Sequence, residues 1–191
     1  MTFNPAPPTT SRLLVKRDGS SITRSIPKPI VIIDTREQAP FTFERFPNWI
    51  GDTRRDTVAV GDYTIAGMED ILTLERKSLE DAIGTLTHNR ERFIRQCEKM
   101  SKIKYKAIII EASYEDVKTP YTFSAEYSSA HPNGIAGSLD AIEARFGIPV
   151  IYSSRHKSLA EEKAASWLSK HFTYWHLEQV GLGRVLQEGD L

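Results

Sequence analysis

Three short runs of aliphatic residues constrain this chain more than any other feature: PIVII at 29–33, KAIIIEAS at 106–113 and PVIYS at 149–153. Each is too short for a stable helix and too apolar for an exposed loop, so each reads as a strand buried on both faces. Segments of helical period lie between and after them. In SLEDAIGTLT, Leu79, Ala82, Ile83 and Leu86 fall at i, i+3, i+4 and i+7; the pattern pauses at His88-Asn89 and resumes with Phe93, Ile94, Cys97 and Met100. SLDAIEARF (138–146), with Ser138 as N-cap, and SLAEEKAASWLSKHF (158–172) predict two more helices. TVAVGDYTI (57–65) and DILTLERK (70–77), separated by the turn-prone AGME, predict an antiparallel pair. Buried strands alternating with helices give an α/β fold, and the hairpin makes its central sheet mixed, with helices on both faces. The aromatic and polar stretch 114–137, with Pro120, Pro132, Gly134 and Gly137, is expected to be a long loop.

At 191 residues the chain has the length of one domain with extensions. Residues 1–28 are rich in Pro, Ser and Thr and carry Arg12, Lys16, Arg17, Arg24 and Lys28 against Asp18. They are expected to form a flexible basic arm, with a short hairpin about Asp18-Gly19. The ordered domain is expected over 29–172, with 173–191 as a tail and candidate interface. Lys plus Arg and Asp plus Glu number 25 each, which excludes nucleic-acid binding driven by total charge but leaves room for a local basic patch. The single Cys97 sits at a core position of a helical pattern; it excludes an intramolecular disulfide and fits a reducing compartment such as the cytoplasm. The five histidines are scattered and predict no zinc site. No apolar run approaches the roughly 18 residues a membrane span needs, and MTFNPAPPTTSRLL lacks the build of a secretory signal.

The segment VGDYTI-AGMED-ILTLERK carries the chemistry. A turn centred between Met68 and Glu69 makes residues summing to 137 face each other, so Asp62 lies across from Glu75. Directly opposed like charges on a sheet repel. Glu75 and Lys77, two apart, share a face, and Arg76 points to the other. Two carboxylates and a lysine converge, and the carboxylates are hard oxygen ligands suited to Mg²⁺. A cation there could generate a nucleophile and stabilise a phosphorane-like transition state, with Lys77 orienting or deprotonating the water. An isolated D…ExK pattern is ordinarily a surface salt bridge; here VAV and ILTL are apolar on both faces, and buried carboxylates need partners. Asp34, Arg36 and Glu37 follow the first buried strand as DTRE, at a strand end where α/β proteins place ligands, although a capped turn accounts for them equally. Asp81, three after Ser78, fits a capping box, and capping alone would explain it.

In order, VIIDTREQAPF, VGDYTI, LERKSLEDAIGTL…RFIRQCEKM and KAIIIEAS resemble the nuclease domain of XPF-type structure-specific endonucleases (ERCC4 domains). That family belongs to the restriction-endonuclease-like PD-(D/E)xK superfamily and carries a GD…ERKxxxD signature. The resemblance covers about residues 29–172. It implies cleavage of branched, flapped or junction DNA, dependent on Mg²⁺ or Mn²⁺, in repair, recombination or replication. It points to Asp34, Arg36, Glu37, Asp62, Glu75, Arg76, Lys77 and Asp81 as catalytic residues, with Asp62, Glu75 and Asp34 as metal ligands. The family arginine before a QC-like pair falls on Arg92, with Arg90 as competitor, and Glu91 stands where the family has glycine. VGLGRV (180–185) supplies one hairpin-like turn at most, so no tandem helix-hairpin-helix is expected with this domain. This looks like a stand-alone version of the domain, as in some phage and bacterial relatives; a eukaryotic one would be nuclear.

Arg92, Arg95, Lys99 and Lys102 recur at i, i+3, i+7 and i+10 and line one helix face, which with Arg90 suits phosphate contacts. A solvated helix face is the alternative. Tyr121, Phe123 and Tyr127 could stack on unpaired bases or simply anchor the loop. Trp167, Phe172, Tyr174, Trp175 and Leu177, followed by Val180, Leu182, Val185 and Leu186, concentrate apolar surface near the C-terminus. The expectation is a homodimer through 160–186, as XPF-type domains pair; the alternative is that these residues fold back on their own sheet.

Overall fold

The computed structural model describes residues 13–17, 20–24, 26–122 and 130–181. Two strands, β1 (Leu13–Arg17) and β2 (Ser20–Arg24), pair antiparallel with Arg17 opposite Ser20. That is the register of a hairpin about Asp18-Gly19, whose turn residues themselves lie outside the described residues.

The main sheet has six strands: β3 (Ile30–Asp34), β4 (Asp52–Asp56), β5 (Tyr63–Ile65), β6 (Leu72–Ser78), β7 (Tyr105–Glu111) and β8 (Val150–Tyr152), in the order β4-β3-β5-β6-β7-β8. β3 runs antiparallel to β5, and β5 to β6; the other neighbours are parallel. This is the expected mixed sheet. Alternation along each strand builds two cores. Val31, Ile33, Tyr63, Ile65, Leu72, Leu74, Ala107 and Ile109 face one side. There they meet Ala160, Ala164, Ala165, Leu168 and Phe172 of α5 (Lys157–Gln179), together with Phe41, Phe43, Phe46 and Ile50 from the connection after β3. Ile108 and Ile110 face the other side, against α1 (Leu79–Thr87), α2 (Arg90–Met100) and α4 (Pro132–Phe146). Cys97 is a fully buried member of that second core.

Four local expectations are corrected, and one strand appears where none was expected. Of 57–65 only Tyr63–Ile65 is strand: Gly61 turns the chain at φ +83°, and residues 57–62 run as loop. Strand β4, DTRRD, has no apolar alternation because it is an exposed edge held by β3. Stretch 114–137 is not one loop: Ser113 and Asp116 form a capping box for the short helix α3 (Tyr114–Lys118). Ser138 is not an N-cap either, because α4 begins at Pro132 with His131 capping. α5 also continues past the expected boundary at 172 as far as Gln179. Phe172 and Leu177 are buried in the chain's own fold, and Trp167 and Trp175 pack against the α5-side core. Val180 is exposed, Tyr174 is half-buried, and Leu182, Val185 and Leu186 lie outside the described residues.

Candidate active site

Because Tyr63 and Ile65 face α5, Asp62 and Thr64 must face α2. The same parity puts Thr73, Glu75 and Lys77 of β6 on the α2 side, and Leu72 and Leu74 on the other. Tyr63 pairs with Leu74, which is the register read from the sequence, so Asp62 stands opposite Glu75. Gly61 makes this approach close: a Cβ there would lie 2.2 Å from the Thr73 hydroxyl.

Asp62 Oδ2 accepts the Arg76 backbone N–H at 2.7 Å, while Oδ1 has no protein donor among the described residues. Glu75, 5 % exposed, pairs with Lys77 Nζ at 3.2 Å through Oε1 and accepts from the Gln96 amide through Oε2. Lys77 Nζ also sits 4.8 Å from the Phe93 ring centroid. Two carboxylates thus share one nearby ammonium. Burial, then repulsion from Glu75, pushes Asp62 up to about 8; burial also raises Glu75 against the pull of Lys77 and Gln96.

The DTRE turn closes one end of the site. Asp34, 1 % exposed, accepts four hydrogen bonds: at Oδ1 from Arg36 N (2.7 Å) and Nε (2.8 Å), at Oδ2 from Arg36 Nη2 (2.7 Å) and Val58 N (2.9 Å). Those bonds, led by the Arg36 side chain, hold its carboxyl down at about 2. A carboxylate offers about four acceptor positions, so Asp34 is saturated. Glu37 Oε1 accepts from Arg76 Nη1 at 3.1 Å and from Ala39 N at 3.0 Å. Arg76 also ion-pairs with Glu111 and lies 4.9 Å from the Phe41 ring centroid. Its guanidinium therefore reaches the α5 side, opposite Lys77, as the strand period requires.

A cleft of about 690 Å³ brings together Asp34, Arg36, Glu37, Asp62, Glu75, Arg76, Lys77 and Asp81, with Arg92, Arg95 and Lys99 along one wall. Asp81 donates its backbone N–H to the Ser78 cap at 3.0 Å. Arg90 turns away from the cleft to bond Ser138 Oγ at 3.1 Å, whereas Arg92 lines it. Lys102 lies past the end of α2 and does not line the cleft. Tyr121 bonds the Ala130 carbonyl, as a loop anchor does; Phe123 and Tyr127 lie outside the described residues. Sequence reasoning missed Gln96 as a partner of Glu75, and Glu111 as a partner of Arg76. One helical turn from Arg92, Gln96 carried a positional signal; Glu111, at the end of a buried strand, carried none.

Among the described residues no three acidic, His or Cys side chains converge as a ready cation cage. Two carboxylates do converge, and Mg²⁺ ordinarily takes one or two from protein and keeps water for the rest. Asp62 Oδ1, with no protein donor among the described residues, and the two raised carboxyls make a donor set that suits a divalent cation, so Asp62 and Glu75 fit such an ion.

The architecture is that of archaeal XPF. The chain superposes on XPF from Aeropyrum pernix with a TM-score of 0.58 at 18% identity, covering 80% of this chain and 69% of that one. It superposes on the same protein in complex with DNA with a TM-score of 0.54 at 17% identity, covering 80% and 66%. At such identities the likeness is one of fold. Residues 33–164 match the ERCC4 domain, and the chain belongs to the ERCC4-domain family. A Methanocaldococcus jannaschii protein named as an ATP-dependent RNA helicase is 25% identical over 135 residues, which is 70% of this chain but 15% of that protein. Among the described residues no helix is long and apolar enough to cross a membrane.

Proposed function

We propose that this chain is a Mg²⁺-dependent endonuclease that hydrolyses phosphodiester bonds in branched, flapped or junction DNA, with Mn²⁺ able to substitute. The observation that carries this reading is the convergence of Asp62, Glu75 and Lys77 on the sheet face that opens into the same cleft as Arg92, Arg95 and Lys99. Asp62, in the loop that enters β5, and Glu75, on β6, would hold the cation between them. A divalent ion bound there supplies an acidified water and neutralises charge on the phosphoryl oxygens. Lys77, held by Glu75 and packed on Phe93, orients the attacking water. Arg92, Arg95 and Lys99 seat phosphates along α2. Arg36, its side chain 69% exposed, presents its remaining donors at the cleft mouth. Asp34 organises the turn and does not ligate, because its acceptor positions are taken. The Glu37–Arg76–Glu111 network fixes β6 from behind, and Asp81 adds an outer carboxylate at the rim.

Family membership and a structural relative crystallised with DNA support DNA as the substrate. The RNA helicase name belongs to a protein of which this chain matches a small part. Cleavage of flap, fork, junction, duplex and single-stranded DNA and of RNA, with Mg²⁺ and with EDTA, tests the reading. Asp62→Asn and Glu75→Gln are expected to abolish cleavage with DNA binding retained, and Lys77→Ala to lower turnover more than cation affinity. Retained cleavage in both carboxylate variants would remove the site; no cleavage by the wild type would leave a DNA-binding scaffold of the same fold. We add a homodimer through residues 160–186 to this reading, supported by the exposed Val180 and the half-buried Tyr174 and Trp175 at the end of α5. Light scattering at micromolar concentration tests it, and a monomer whose mass is unchanged by Trp175→Ala removes it.

A further inference from the structure

At the end of β3 the chain turns through residues 34–37, and Glu37 N donates back to Asp34 O at 3.2 Å. Such a turn leaves its carbonyls pointing outward together, as the last turn of a helix does. The carbonyls of Asp34, Thr35 and Glu37 meet on a single nitrogen. Arg55 Nη2 donates to Glu37 O at 2.7 Å, to Thr35 O at 3.2 Å and to Asp34 O at 3.3 Å. Arg55 stands on the edge strand β4, directly beside β3, and does not line the cleft. Charged residues on an edge ordinarily guard it against pairing. A guanidinium engaged with three carbonyls of one turn does something more specific.

The inner side of the same turn holds the site. Asp34 fixes Arg36, and Glu37 fixes Arg76, whose backbone N–H is bonded to Asp62. Each of these contacts depends on where residues 34–37 sit. We propose that Arg55 is a positioning residue for the cleft, clipping the turn that carries Asp34, Arg36 and Glu37 to the edge of the sheet. All three contacts converge on Nη2, so a lysine ammonium, with three donors on one nitrogen but a shorter reach, can replace them in part. The activity half of the test rests on the nuclease reading; the structural half does not.

The amides of Thr35, Arg36 and Glu37 are all hydrogen-bonded, to Asp56 O, Asp34 Oδ1 and Asp34 O. In Arg55→Ala their hydrogen exchange is expected to quicken by about tenfold, with β7 amides unchanged as the control. On a cleaved DNA substrate, kcat is expected to fall about tenfold with KM within twofold, and Arg55→Lys to recover part of the loss. Arg55→Gln, which keeps a planar donor group, serves if the alanine variant does not fold. Unchanged exchange at 35–37 overturns the clip. A loss confined to KM, with a reduced salt slope, makes Arg55 a phosphate contact and also overturns it. If the wild-type chain cleaves nothing, the nuclease reading fails by itself, and the exchange of residues 35–37 still decides whether Arg55 holds the turn.

Discussion

Gly61 and Asp34 show how single residues set this site. At Gly61 two demands coincide: a φ of +83°, and a Cβ position 2.2 Å from the Thr73 hydroxyl, which itself donates to the Val60 carbonyl. Gly61→Ala is therefore expected to cost about 2–3 kcal/mol in urea unfolding, combining backbone strain with a clash. In a Thr73→Ala background the clash is relieved and the strain remains, so the two substitutions should cost less together than the sum of each alone. Simple additivity would show that the hydroxyl is not the obstacle. Asp34 yields a pH dependence. Its folded value, about 2, lies below the usual 3.8, so its contribution is complete above about pH 4 and is lost as pH falls toward 2. Because Arg36 is largely exposed and screened, the contribution is of order 1–2 kcal/mol. The unfolding free energy of the wild type, from urea titrations, should fall across pH 4 to 2 by that amount more than that of Asp34→Asn. Parallel curves would show that the Asp34–Arg36 pair does not stabilise the fold.

Among the elements, α2 does two jobs. Phe93, Cys97 and Met100 bury one stripe, while Arg92, Arg95 and Lys99 line the cleft wall. Alanine at each of these three is expected to weaken binding of every DNA structure alike and to reduce the salt slope by about 1. Arg90→Ala and Lys102→Ala should change it little, because neither faces the cleft. An equal effect at all five positions would mean that bulk charge, not the cleft wall, holds DNA. Elements such as this were legible because their signals are local. The 3.6-residue period marks α2, and a turn centred on 68–69 gives the Tyr63–Leu74 register and with it the Asp62–Glu75 pair. What was not legible depends on remote neighbours. DTRRD becomes strand β4 only because β3 offers it a ladder, and the N-cap signal of Ser138 is overridden by a helix that starts at Pro132 and packs Ile135, Ala136 and Leu139 into the core. Arg55 on the turn and Glu111 on Arg76 are contacts for which sequence spacing leaves no trace.

For the whole molecule, the site carries a stability cost that a cation should relieve. Asp62, half-buried, and Glu75, buried, stand face to face with one shared lysine, and desolvation pushes both carboxyls upward. Folding the cation-free protein at neutral pH therefore makes Asp62, ionised when unfolded, take up a proton, and draws Glu75 out of water against Lys77 and Gln96 alone. Asp62→Asn keeps the acceptor for the Arg76 N–H and removes the carboxyl that must take up a proton on folding. Without divalent ions, this variant is expected to be more stable than the wild type by about 1–2 kcal/mol, since the shift it removes is worth roughly 1.4 kcal/mol per unit before relaxation and screening reduce it. Adding Mg²⁺ or the non-reactive Ca²⁺ should then raise the wild type by about 1.4 kcal/mol at ten times Kd, while the variant, short of a ligand, should respond far less. Urea unfolding of both proteins, with EDTA and with each ion, reads the two effects together. A wild type insensitive to divalent ions, or a variant less stable than wild type in EDTA, would mean that the pair is balanced within the protein and is not built around a cation.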